Sequence, residues 1–195
     1  MAMYRTYNPG WIEVICGCMF AGKTEELIKR IKVLEYAKKK VVAIKPSMDN
    51  RYSDNMIASH AGNLCECICV DVNDISAIKE LVHDKTVDVV VIEEVQFFDK
   101  EIVEVCEALA NSKKRVIVAG LDTDFKGEPF EVMASLLARA EFITKLSAVC
   151  CVCGAPATRT QRLIEGKPAK KDDPVILVGA SECYEARCRN CHKII

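Results

Sequence analysis

The chain has 195 residues, half of them hydrophobic and 28% charged, with a formal net charge of −1. That length supports one domain, or one domain and a small appendage, around a real core, and the composition excludes a disordered chain. The near-neutral charge lacks the basic excess of a general nucleic-acid binder, and no apolar run reaches the roughly 18 residues of a membrane helix, so neither nucleic acid nor membrane is expected as a partner. The opening MAMYRTYNPG carries no signal-peptide core, and a cytoplasmic location is the expectation.

Residues 11–15 are a short apolar run with β-branched members, which predicts a buried strand. Residues 17–24, GCMFAGKT, then fit G-x-x-x-x-G-K-[ST], and residues 25–40 place Leu27, Ile28, Ile31 and Leu34 at helical spacing. Between a strand and a helix that pattern predicts a phosphate-binding loop. Gly17 and Gly22 let backbone N–H groups approach phosphate oxygens, and the helix N-terminus adds positive potential. Lys23 reaches outer phosphates, and the Thr24 hydroxyl suits Mg2+.

Residues 41–44 predict a second strand closed by Lys45-Pro46, and the polar stretch 47–62 reads as a loop. Residues 64–70 predict a third strand with Cys65, Cys67 and Cys69 on one face, followed by a helix over 74–83 with Asp74 near its N-cap. VDVVVI at 87–92 reads as a strand buried on both faces. A helix over 100–110, a strand over 115–119, a charged loop, an amphipathic helix over 132–140 and a strand over 141–146 complete the alternation. Strands alternating with helices imply a parallel α/β sheet with ligands at the strand C-termini.

The strand at 87–92 runs into Glu93-Glu94. A hydrophobic strand ending in acids is the second element of P-loop enzymes, in which a carboxylate holds Mg2+ through water. Neighbouring strand residues point to opposite sides, but a turn at the strand end admits both into a cleft. One acid then serves the metal and the other accepts a proton from an attacking hydroxyl; a solvated acidic strand end is the plainer alternative.

Twelve cysteines in a chain with a phosphate loop suggest thiols or metal ligands rather than a secreted disulfide scaffold. Cys16, Cys18, Cys65, Cys67, Cys69 and Cys106 read as small core filler. Cys150-x-x-Cys153 and Cys188-x-x-Cys191 are two knuckles separated by 34 residues, and four thiolates in two close pairs suit tetrahedral Zn2+. Cys151 and Cys183 fall outside that spacing, and His192 stands as an alternative to Cys191. The segment between the knuckles is expected to be an excursion, tied at its base, that folds over something.

Several stretches together resemble the type II thymidine kinases, the zinc-containing kind of bacteria and animal cytosol. They are GCMFAGKT at 17–24, KPSMDNRYS at 45–53, EEVQFF at 93–98, GLDTDFKGEPF at 120–130, AVCCVC at 148–153, ATRTQR at 157–162 and YEARCRNC at 184–191. The resemblance covers nearly the whole chain, in family order and spacing. It implies a P-loop NTPase-type α/β domain over residues 1–147 and a zinc-knuckle and lasso domain, the substrate lid, over 148–195. It further implies transfer of the γ-phosphoryl group of ATP to the 5′-hydroxyl of thymidine, with deoxyuridine as a second substrate, in a homotetramer inhibited by thymidine triphosphate.

Carried onto this sequence, the resemblance implies that Gly17, Cys18, Met19, Phe20, Ala21, Gly22, Lys23 and Thr24 bind ATP, with Asp49, Asn50, Arg51, Glu93 and Gln96 contributing. Thr24 and Glu93 would hold Mg2+, and Glu94 would be the catalytic base. Phe125 would stack on thymine, with Met19, Phe97, Leu121 and Phe130 around it. Thr160, Val175, Ile176, Leu177, Val178, Gly179 and Tyr184 would belong to a lasso over the base, anchored by Zn2+ on Cys150, Cys153, Cys188 and Cys191. Two residues depart from the family pattern: Glu93 stands where Asp is usual, and Cys18 replaces a common proline at a position contributing mainly backbone. From the residues alone Phe125 is equally a loop aromatic plugging the core. A nucleic-acid-stimulated ATPase and a non-catalytic nucleotide sensor are the rival classes.

Overall fold

A computed structural model describes residues 10–47, 56–58, 62–175 and 182–195. Strand β1 (Trp11–Cys16) leads through residues 17–22 into helix α1 (Lys23–Tyr36), and β2 (Val41–Pro46) follows. β3 (Met56–Ala58) and β4 (Leu64–Glu66) pair antiparallel before β5 (Ile68–Val70), the short α2 (Ser76–Glu80) and β6 (Val89–Ile92). After a 3-10 turn at Val95–Phe97 come α3 (Glu101–Asn111), β7 (Arg115–Gly120), α4 (Glu131–Arg139) and β8 (Phe142–Lys145). The chain is thus the expected α/β fold: six strands in the order β5-β2-β6-β7-β1-β8 form one parallel sheet, flanked by helices.

Period-two alternation divides each central strand between two cores. Val14, Val90, Val116 and Val118 face α3 and α4, where Ile102, Cys106, Leu109, Met133 and Leu136 meet them. Ile15, Val91, Ile117 and Ala119 face α1, which supplies Leu27, Ile28, Ile31 and Leu34. Each such aliphatic side chain stabilises the fold by about 1.5–3 kcal/mol on burial. The outcome is a rigid sheet whose central strands β6, β7 and β1 end side by side.

Local differences from the sequence expectations have identifiable causes. The strand expected over 64–70 is two: β5 joins the sheet, whereas β4 leaves it to pair with β3, in a stretch expected to be loop. Ile57 drives that hairpin into the α1-side core, with Cys65 and Cys67 packed beside it, and burial pushes the Cys67 thiol up to about 12. The helix expected over 74–83 contracts to Ser76–Glu80, and the Asp74 carboxylate accepts the Ser76 N–H at 3.1 Å. Helix α1 stops at Tyr36, short of residue 40, with Lys38 in the left-handed region at φ 59°.

Beyond Leu146 the chain builds small antiparallel sheets. β9 (Ala148–Val149) and β10 (Pro156–Ala157) form a hairpin around residues 150–155. β11 (Arg159–Ile164), β12 (Lys167–Pro168) and β13 (Glu182–Arg187) form a three-stranded sheet in the order β12-β11-β13. The segment between the two cysteine pairs is therefore partly a folded sheet, braced by the fully buried Arg162, whose Nη1 donates to the Pro174 carbonyl at 2.6 Å. Among the described residues no helix is long and apolar enough to cross a membrane.

Candidate functional site

The 17–24 loop leaves the end of β1 with a path that two glycines permit. At Gly17 a Cβ would sit 2.5 Å from the Leu146 carbonyl oxygen, so only a hydrogen fits. Gly22, at φ 80°, makes the left-handed turn into α1, whose first turn carries no side-chain cap. That leaves the helix N-terminus suited to an anion. Lys23 Nζ donates to the Cys18 carbonyl at 2.9 Å, which folds the ammonium back over the loop. Phe20 is half exposed, Ala21 partly buried, and Met19 donates its N–H to Thr160 Oγ1 at 3.1 Å. Cys18 is completely buried, with Sγ 3.3 Å from the Ala157 carbonyl.

The adjacent acids are separated by backbone conformation. β6 ends at Ile92, and Glu94 takes the left-handed conformation at φ 48°, ψ 42° before the 3-10 turn. A non-glycine residue there costs about 1–2 kcal/mol, and the turn sends the two carboxylates to different partners. Glu93, only 5% exposed, accepts the Thr24 hydroxyl on Oε1 at 3.0 Å. Glu94, half-buried, accepts Gln96 Nε2 on Oε2 at 2.7 Å. Gln96 is buried and uses its other end to accept the Leu121 N–H at 3.1 Å, so β6, the 3-10 turn and the end of β7 are joined through one amide.

Beside this amide Phe97 and Phe130 meet edge-on, with ring centroids 6.3 Å apart and planes at 77°, and Leu121 is half-buried nearby in sequence and space. Phe125 is 3% exposed: the Arg162 guanidinium lies 5.1 Å and the Lys126 ammonium 5.4 Å from its ring centroid. The ring is held in the protein, as in the core-plug reading, rather than offered as an open platform. Tyr184 is half-buried and Val175 exposed, while Asp49, Asn50, Arg51, Ile176, Leu177, Val178 and Gly179 lie outside the described residues.

Sequence reasoning missed four features here. Gly120 abuts Gln96, and a Cβ there would lie 2.2 Å from Oε1; a glycine at a strand end next to the acid turn was the available signal. Asp122, 5% exposed, pairs with Lys145 Nζ at 2.8 Å, across the end of β1. That hydrogen bond holds the Lys145 ammonium above its ordinary pKa. Thr160 turns its hydroxyl onto the 17–24 loop. His192 Nε2 lies 2.8 Å from the Phe125 carbonyl, which ties the second cysteine pair to the Phe125 loop and leaves Cys191 as the fourth sulfur.

Cys150, Cys153, Cys188 and Cys191 bring their Sγ atoms within 4.8 Å of one another, with Cys153 and Cys188 3.6 Å apart. Tetrahedral Zn–S bonds of about 2.3 Å separate ligand sulfurs by about 3.8 Å, so the cluster is compatible with a structural Zn2+. The Cys150 thiol is pulled down to about 6, chiefly by the backbone N–H of Cys188, and Cys188 is lowered chiefly by the N–H of Cys191. Main-chain N–H groups thus favour the thiolate at Cys150 and Cys188, whereas Cys191 is pushed up to about 12, chiefly by its side-chain hydrogen bond with Cys188. In a comparison with known families, the family model described as Thymidine kinase matches residues 10–192.

Proposed function

The chain belongs to the thymidine kinase family, its four-cysteine cluster fits the zinc-binding type II branch, and on that premise we propose that it transfers the γ-phosphoryl group of ATP to the 5′-hydroxyl of thymidine between residues 17–24 and the Glu93-Glu94 turn. The observation that carries this reading is the hydrogen bond from Thr24 to Glu93, which joins the start of α1 to the end of β6. The hydroxyl and carboxylate joined in this bond, 3.0 Å apart, are the groups that would hold Mg2+, Thr24 directly and Glu93 through water. A Mg2+ held there would neutralise charge between the β- and γ-phosphates. Glu93, longer than the aspartate usual in the family, already reaches Thr24 and retains the metal-side role.

Lys23 leaves the Cys18 carbonyl for the outer phosphate oxygens, and the loop N–H groups and the α1 N-terminus hold the rest of the triphosphate. Glu94, oriented by Gln96, accepts the proton of the 5′-hydroxyl as that oxygen bonds to the γ-phosphorus; the bond to the β–γ bridging oxygen breaks, and ADP leaves. Phe97, Leu121 and Phe130 wall the base, with Phe125 as its buried floor. The excursion between the cysteine pairs, with Tyr184 at its return, closes over the nucleoside and excludes the water that would hydrolyse ATP. Thymidine triphosphate as feedback inhibitor, a homotetramer and a cytoplasmic location complete the proposal.

ATP-dependent turnover across a panel of nucleosides, with and without thymidine triphosphate, tests it. Thymidine should be phosphorylated first and deoxyuridine second, with purine nucleosides inert and thymidine triphosphate inhibitory. ATP hydrolysis stimulated by DNA, with no nucleoside phosphorylated, would overturn it.

A further inference from the structure

The two cysteine pairs pack against the 17–24 loop itself. Cys18 shares a cluster of small side chains with Cys150, Ala157, Ala186 and Cys188, and Ala21 borders it. Two hydrogen bonds cross the same seam: Cys18 Sγ to the Ala157 carbonyl at 3.3 Å, and the Met19 N–H to Thr160 Oγ1 at 3.1 Å. Thr160 is 3% exposed, so its hydroxyl has little access to water in place of that amide. Behind the loop Gly17 presses on the Leu146 carbonyl, two residues before β9.

These contacts come from the elements that frame the sulfur cluster. β9 and β10 enclose Cys150 and Cys153, while β13 leads to Cys188 and contributes Ala186. The β9–β10 hairpin has only two residue pairs, Pro156 with Val149 and Ala157 with Ala148, and a ladder that short is not stable alone. A metal bridging the cysteines would fix the hairpin, and through Ala157 and Thr160 it would fix the loop. We propose that the zinc knuckle is the wall on which the phosphate loop takes its shape, so that metal occupancy sets triphosphate affinity, and that Thr160 is the positioning residue linking the two. The proposal rests on reading residues 17–24 as the donor-phosphate site. It predicts a zinc effect on donor binding with no thymidine present, which a role confined to the lid does not.

The test uses the full zinc-loaded chain, titrated with Mg2+ and a non-hydrolysable ATP analogue in the absence of thymidine. Thr160→Val takes the partner from the part-buried Met19 N–H and should weaken analogue binding roughly 5- to 30-fold while metal analysis still finds zinc. Thr160→Ser, which keeps the hydroxyl, should return it to within about 2-fold of wild type. Wild-type protein stripped of zinc should lose at least as much affinity as Thr160→Val. Cys18→Ala supplies a second probe of the seam, with a loss of about 3-fold, should Thr160→Val not fold. Unchanged analogue affinity in zinc-loaded Thr160→Val, or in zinc-free wild type, overturns the proposal; so does a loss confined to thymidine binding. Failure of the donor-site reading looks different: the analogue would then bind Lys23→Ala as tightly as wild type.

Discussion

Gly120→Ala adds one methyl group and should disturb the Glu93-Glu94 turn, and with it the proposed base, from behind. The new Cβ would lie 2.2 Å from Gln96 Oε1 and 3.4 Å from Met133 Sδ. Gln96 is 6% exposed, and moving its amide breaks two bonds: Leu121 N–H to Oε1 at 3.1 Å, and Nε2 to Glu94 at 2.7 Å. Overpacking costs about 1–3 kcal/mol, and a stranded buried N–H about 1–3 kcal/mol more. A total of about 2–6 kcal/mol lowers the melting temperature of a domain this size by roughly 4–24 °C. Because Glu94 loses its orienting partner, kcat should fall by roughly tenfold or more while the KM for thymidine changes little. Thermal melts and steady-state kinetics on Gly120→Ala, Gln96→Ala and the double variant form the assay. In the Gln96→Ala background the clash is gone, and Gly120→Ala should be close to neutral. Wild-type stability and turnover in Gly120→Ala, or the same penalty with and without Gln96, would refute the reasoning.

Three further outcomes are expected. Lys23→Ala should abolish transfer and leave the melting temperature nearly unchanged, since among the described residues Lys23 Nζ hydrogen-bonds only the Cys18 carbonyl; wild-type-like turnover would contradict the phosphate role of the loop. Cys191→Ser should reduce the zinc content measured by metal analysis and weaken thymidine binding, because it removes one of the four clustered sulfurs. Glu93→Asp should preserve or raise activity, most visibly at low Mg2+, when turnover is measured across a magnesium titration.

The parallel sheet was legible because its central strands are short apolar runs rich in β-branched residues, as at 89–92 and 116–118, set between segments of helical spacing. The cysteine cluster was legible because two CxxC pairs are a spacing, and a spacing survives in one dimension. The β3–β4 hairpin was not, since its driving contacts join Ile57 to a core assembled from distant strands and α1. Side-chain direction was also out of reach. Sequence placed Glu93 and Glu94 together, but the left-handed backbone at Glu94 is what sends one toward Thr24 and the other toward Gln96. Sequence leaves Phe125 between a stacking platform and a core plug until Arg162, itself buried, is found against its ring. The Met19–Thr160 bond joins residues 141 positions apart, and no local pattern announces it.

The most direct measurement is single-turnover phosphoryl transfer to thymidine by Glu94→Gln and Glu93→Gln, each across a magnesium titration and with thymidine affinity determined separately. Glu94→Gln keeps the size of the side chain and its contact with Gln96 but removes the base, so the rate should fall roughly 100- to 10,000-fold at every Mg2+ concentration, with thymidine affinity changed by less than about 3-fold. Glu93→Gln should be partly rescued as Mg2+ rises. Wild-type rates in Glu94→Gln, or equal and magnesium-independent losses in both variants, would contradict the division of the two acids into a base and a metal ligand.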